Sequence, residues 1–240
     1  MLSEKKPKTS KIESRREAGE RTRAVIMDVA EQLFAQKGVD AVSLRSIMTT
    51  AGVSISLINY HFDTKENLVQ QIFERRAVPM NQERMALLDA MRANGRQPTL
   101  EDLLHVFVVL PIRASFVGGS ENFIRLLGRI SSDPSPGARK IVGDYFDDFH
   151  RAFFEEIKKL MPELSETDFY WRLHCLLGVL MYTMTNPERT YDLSRGLCNP
   201  RDVDTTVTHL MPMLIALITT PQLQTATSAD QKTSNLFRVK

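Results

Sequence analysis

The chain has 240 residues, 42% apolar and 25% charged, an ordinary globular composition with room for one or two domains. Its longest apolar runs, residues 103–112 (interrupted by His105) and 176–182, fall short of the roughly 18–20 residues that cross a bilayer, so no membrane partner is expected. Two cysteines, Cys175 and Cys198, exclude a disulfide framework, and the basic N-terminal stretch has no apolar segment behind it; both point to a cytoplasmic protein.

Net charge is only +2 but unevenly spread. Residues 1–23 hold eight Lys or Arg against four Glu, which leaves the rest of the chain slightly acidic. A basic arm on an acidic body suits contact with nucleic acid or an anionic surface, and describes a solvated tail equally well. Residues 1–22 are expected to form such an unordered arm.

Strand-type alternation is almost absent, and helical spacing recurs instead. Val25, Ile26, Val29, Ala30, Leu33 and Phe34 repeat at three- and four-residue steps, and Gly38 is placed to end that helix. Ser43 is placed to cap a short helix carrying Leu44, Ile47, Met48 and Ala51, with Gly52 behind it. A second short helix is expected over 55–60. A long helix follows over 66–93, with Pro79 inside it and a bend expected over 75–79. Further helices are expected over 100–116, 121–130, 137–160, 165–185 and 202–219, separated by Gly- and Pro-rich breaks and by an irregular stretch over 186–200. The polar tail 221–240 has little to bury and is expected to be unordered.

The stretch 43–62 has the layout of a helix-turn-helix. Ile47, Ala51, Val53 and Ile58 supply packing between two short helices, Gly52 supplies a turn, and the second helix keeps polar groups outward. Such a helix fits the major groove, where base edges present a donor and acceptor code.

These residues resemble the TetR (tetracycline-repressor-like) family of transcriptional regulators. The resemblance runs from Arg23 to about Leu68. It includes Ala30-Glu31-Gln32-Leu33-Phe34-Ala35-Gln36-Lys37-Gly38, the turn Ala51-Gly52-Val53-Ser54, and Tyr60-His61-Phe62-Asp63-Thr64-Lys65-Glu66-Asn67-Leu68. It implies an all-α fold: a three-helix DNA-binding domain over 23–68, then a helical ligand-binding and dimerisation domain over 69–220. Two features depart from the family. Met48 stands where a small residue is usual, and Ile55-Ser56-Leu57 with Asn59 replace the frequent Lys-Gly-Thr and first Tyr. Operator sequence therefore does not carry over.

Resemblance and chemistry together suggest roles. Ser43 and Ser54 would donate to phosphates at helix starts, with helix capping as the plainer account of Ser43. Arg45 would meet phosphate or base. Asn59 is the candidate for pairing with adenine N6 and N7, and Ile55 or Leu57 for touching a thymine methyl, with Ser56 beside them. Tyr60, His61 and Lys65 would contact the DNA backbone, although His61 and Leu57 also suit packing and Phe62 suits the core.

The resemblance further implies an effector-sensing body that dimerises through its last two long helices as a four-helix bundle. Leu173, Leu176, Leu177, Leu180 and Met184, with Gly178, and then Val203, Val207, Leu210, Leu214 and Leu217 are the candidate interface residues; an intrachain core explains them equally. Candidate pocket residues are Phe107, Phe116, Phe123, Trp171, His174, Cys175, Met181 and Tyr182, with Arg125 as a further polar group. The expected partners are a double-stranded pseudo-palindromic operator, a small and rather hydrophobic effector, and a second copy of the chain. No cofactor is expected. An enzyme is disfavoured, because no phosphate-binding glycine loop or metal-binding spacing occurs. A ligand-independent architectural DNA binder stays open as the alternative.

Overall fold

The computed structural model describes residues 8–221 except 94, 96 and 118, and side chains from Arg16 on except that of Ile58. The tail 222–240 and the first seven residues of the arm lie outside the described residues. Among the described residues the chain is helical throughout, with no strand. No single helix is long and apolar enough to cross a membrane.

The first helix corrects the expectation for the arm. α1 (Lys8–Lys37) begins inside the stretch expected to be unordered. From Lys8 on there is no proline to stop it, and Glu17 and Arg21 sit four apart with their charged groups at 4.0 Å. Its buried stripe, Ile26, Met27, Ala30, Phe34 and Ala35, packs on the helix that follows and on the body. Gly38, at φ 85°, ends it and donates its N–H to the Phe34 carbonyl at 2.9 Å.

α2 (Leu44–Ala51) and α3 (Ile55–Phe62) form the helix pair, buried through Ile47 and Phe62. Met48 is half-buried and packed against the core, so the larger side chain is accommodated there. α4 (Lys65–Ala93) then leads from the head into the body as one helix through Pro79.

The segment expected as one helix over 100–116 is three pieces. α5 (Leu100–Leu104) passes through a wider π-type turn (His105–Val109) into α6 (Leu110–Phe116). The cause is Pro111, which has no N–H to offer the Phe107 carbonyl four residues back and whose ring crowds that carbonyl.

α7 (Glu121–Ser131), α8 (Pro136–Lys159) and α9 (Glu166–Thr185) complete the body core. α7 presses close to α9 at Gly128, where an added Cβ would collide with the Thr185 methyl. α10 (Pro187–Leu193) lies in the stretch expected to be irregular. Pro187 opens it, and Glu188 accepts from Arg125 at 3.0 Å and Arg201 at 2.6 Å. α11 (Val203–Thr219) packs on α9, α5 and α6.

The candidate interface residues divide. Leu173, Leu176, Leu180, Met184, Val203 and Leu214 are buried within this chain, so for them the intrachain account holds. The outward stripe of α9 is Trp171, His174, Cys175, Gly178 and Tyr182, at helical spacing, and that of α11 is His209, Pro212, Met213 and Ala216. An added Cβ at Gly178 would meet nothing within 4 Å.

Candidate nucleic-acid interface and ligand cavity

The head builds its exposed face by capping. The Ser43 hydroxyl accepts from the Ser46 N–H at 3.1 Å, so capping accounts for it in the free protein. Gly52 takes φ 66°, which lets the Val53 N–H reach the Met48 carbonyl at 3.2 Å and turns the chain into α3. Ser54 starts α3 by its extended backbone, while its hydroxyl pairs with that of Ser56 at 2.8 Å.

α3 then exposes Ile55, Ser56, Leu57, Asn59 and Tyr60. Tyr60 is 82% exposed, far more than a packing role requires. His61 is half-buried, its ring between those of Tyr60 and Phe62, with centroids at 5.0 and 6.0 Å. Arg45 is exposed and has no carboxylate partner among the described residues.

The corner between α3 and α4 is tight. Asp63 sits at φ 61°, ψ −58°, and the Thr64 N–H reaches the Phe62 carbonyl at 2.6 Å, a strained γ-turn geometry for a residue other than glycine. Asn67 Nδ2 donates to the same carbonyl at 2.7 Å. Lys65 opens α4 with a bracing role in the free protein. Its ammonium donates to the Val39 carbonyl at 3.0 Å and the Val42 carbonyl at 3.4 Å, bracing the loop before α2.

Three side-chain clamps join the head to the body. Glu31, on the buried face of α1, accepts from Arg75 at 2.9 Å and from Arg76 at 2.9 and 3.0 Å. Arg75 also pairs with Asp28 at 2.8 Å, and Arg23 holds Gln71 at 2.7 Å. From the body, Arg129 of α7 donates to the Ala35 and Gln36 carbonyls at 2.8 and 2.9 Å. Those carbonyls belong to the end of α1, where a cation also suits the helix dipole.

The other face of α7 borders a cavity of about 330 Å³. Ile124, Leu127 and Ser131 form that wall. α4 contributes Met80 and Arg84, α8 contributes Phe146 and His150, and α9 contributes Leu177, Leu180, Met181 and Met184. Hollows of about 490 and 610 Å³ also occur where α1 meets α7, but Lys37, Asp40, Glu66, Arg125, Arg129 and Glu188 give them a charged, surface character. The smaller cavity has the mostly apolar wall and few convergent polar groups of a small-molecule site.

Arg84 is the unusual member, only 3% exposed. Its Nη2 donates at 2.9 Å to the Phe107 carbonyl, the group that Pro111 leaves without its helical donor. Its guanidinium lies 3.7 Å from the Phe149 ring centroid. Burial pushes its pKa down to about 9, so it stays charged at neutral pH.

His150 lies among the rings of Phe107, Phe146, Phe149 and Phe154. Burial, helped by the nearby Arg84 charge, pushes its pKa down to about 4 and keeps it neutral. The unfolded chain takes a proton there near pH 6.5 and the folded chain does not, so stability falls as pH drops through that interval. Between pH 7 and 5 His150 should cost the protein ~2 kcal/mol. Urea titrations at the two pH values should show His150→Phe flattening the decline by about that amount; an unchanged decline would mean His150 is not held neutral.

The structure does not bring the eight expected pocket residues together. Met181 alone among them lines the cavity. Phe107 and Phe123 are fully buried core, Phe123 edge-on to Phe73 at 5.2 Å. Phe116 is half-buried, with Arg201 5.6 Å from its ring. Trp171, His174, Cys175 and Tyr182 belong to the outward stripe of α9, because a helix with apolar residues all round hides which face is inside. Sequence reasoning misses Arg84 and His150, charged or polar residues in mid-helix, and Arg129 in the last turn of α7. A signal was present for Arg84: with Phe73, Ala77, Met80 and Leu88 it sits at three- and four-residue steps along the buried stripe of α4.

Comparison with known proteins fits this two-part layout. The family model for bacterial regulatory proteins, tetR family, matches residues 26–72, and that for the tetracyclin repressor-like C-terminal domain matches residues 109–216. The chain belongs to the TetR family of DNA-binding, helix-turn-helix transcriptional regulators. It is 44% identical over 59 residues to the HTH-type transcriptional regulator AcrR of Shigella flexneri, covering 25% of this chain and 27% of that protein. It is 29% identical over 128 residues to the HTH-type transcriptional repressor BepR of Brucella suis, covering 47% of this chain and 60% of that one. The match thus spans less than two thirds of either relative's length. The transcriptional regulator FadR of Bacillus subtilis, solved in complex with stearoyl-CoA, shares the fold with a TM-score of 0.56 at 16% identity, over 82% of this chain and 97% of that one.

Proposed function

We propose that this protein is an effector-released repressor that binds a pseudo-palindromic operator as a homodimer. One observation carries the reading: α7 lines the apolar cavity with Ile124, Leu127 and Ser131 while its Arg129 grips the end of α1. A ligand that displaces α7 acts directly on the helix that carries the head. The clamps at Glu31 pass the same displacement through α4.

In this reading α3 enters the major groove with Asn59 toward base edges and Ile55 or Leu57 toward a thymine methyl. Ser43 and Arg45 at the start of α2, and Ser54, Ser56, Tyr60 and His61 along α3, meet phosphates, with a base edge as the other target of Arg45. Lys65 acts mainly as a brace, with one N–H left for the DNA backbone. The outward stripes of α9 and α11 pair with the same stripes of a second copy around a two-fold axis. Two recognition helices then stand about one DNA turn apart, roughly 34–36 Å. The effector favours a conformation with another separation and so shifts the population away from DNA.

Sedimentation of the full chain tests the assembly. Wild type should run as a dimer, and Gly178→Glu, which places a charge on an open stripe, should run as a monomer with operator affinity reduced at least tenfold. A wild-type monomer that binds the operator as tightly as the variant would overturn the dimeric reading.

A further inference from the structure

Arg84 is a charged group walled into an apolar cavity without a counter-ion. No carboxylate among the described residues pairs with it, and its buried Nε–H has no acceptor. Its remaining contacts are neutral: the Phe107 carbonyl, the Asn81 amide oxygen at 3.4 Å and the faces of Phe149 and Phe107. The one carboxylate on the cavity wall, Asp147, is exposed and turned to Arg151 at 3.3 Å. A buried cation left this way is costly unless an anion arrives to share the site.

We propose that the effector is an amphipathic acid whose carboxylate pairs with Arg84 while its apolar body fills the end of the cavity bounded by Leu177, Leu180 and Met184. This rests on the effector-released reading above and names the chemistry of its ligand. The guanidinium offers a planar fork matched to a carboxylate, and no protein carboxylate among the described residues competes for it. Neutral His150 adds a hydrogen-bonding nitrogen on the same wall without a competing charge. Size sets the second limit. At about 30 Å³ for each water-sized group, the cavity of about 330 Å³ takes roughly eleven heavy atoms. A medium-chain or arylalkyl monocarboxylate meets both limits.

The test is calorimetric titration of the full chain with two matched pairs, octanoate against octanamide and 3-phenylpropionate against 3-phenylpropanamide. At least one acid should bind about 10- to 100-fold more tightly than its amide. Arg84→Gln, which keeps an N–H donor for the Phe107 carbonyl and removes the charge, should abolish that preference while leaving amide binding in place. Arg84→Lys should keep part of the preference, which secures the comparison if the Gln variant fails to fold. Absence of binding by both acids, equal affinity for acid and amide, or a preference that survives Arg84→Gln would each overturn the proposal. DNA occupancy separates it from the reading beneath it. Acid binding that leaves the operator complex intact would sustain the Arg84 site and defeat effector release. Release by acid and amide alike would defeat the anionic head and sustain effector release.

Discussion

Glu31→Ala should lower the free energy of unfolding by about 3 kcal/mol, read from urea titration, the largest loss expected from removing any one polar side chain of the head. Glu31 is only 3% exposed, yet it accepts three hydrogen bonds from two arginines. Removing it leaves Arg75 and Arg76 facing each other across a buried gap; their partial exposure lets water recover some of the cost, which keeps the figure at the low end for a broken buried pair. Asp28→Ala, which removes an exposed partner of the same Arg75, is the control and should cost under ~1 kcal/mol. Equal losses in the two variants would mean that burial at Glu31 contributes nothing.

Asn59→Ala should weaken binding to the protein's selected operator about 10- to 100-fold while leaving binding to arbitrary duplex nearly unchanged. The side chain lies on the outward face of α3 with Ile55, Ser56 and Tyr60, and no side-chain hydrogen bond claims its amide among the described residues. Truncation therefore removes base recognition without disturbing the head, and circular dichroism melts of the variant should superimpose on those of wild type. Fluorescence anisotropy on specific and scrambled duplexes gives the two affinities. A loss of equal size on both duplexes would move Asn59 from base reading to backbone contact.

The head was largely legible in the sequence because its turns are written in residues with a single physical use. Gly52 and Gly38 take the positive φ that their positions demanded, and Ser43 caps where a cap was expected. The strained corner at Asp63 was not legible, since nothing in an Asp announces φ 61°. In the body, the limits of α7, α8, α9 and α11 followed apolar spacing, but the break within 100–116, the extra helix α10 and which face points inward did not. α9 is apolar on several sides, so its outward aromatics, Trp171 and Tyr182, read as pocket residues. The π-type turn stems from the N–H that Pro111 lacks, and Arg84 reaches from α4 to the carbonyl this leaves; the spacing of α4 shows that Arg84 faces inward but not the group it meets on another helix.

The account depends most on a symmetric dimer placing two α3 helices on one face of the duplex. Selection of bound sequences from a random duplex pool at moderate salt addresses this directly. The enriched site should be an inverted repeat with half-site centres about one helical turn, roughly 10 bp, or a whole multiple of it apart. Enrichment of a single asymmetric element, or of no sequence at all despite tight salt-sensitive binding, would contradict the account and describe an architectural DNA binder instead.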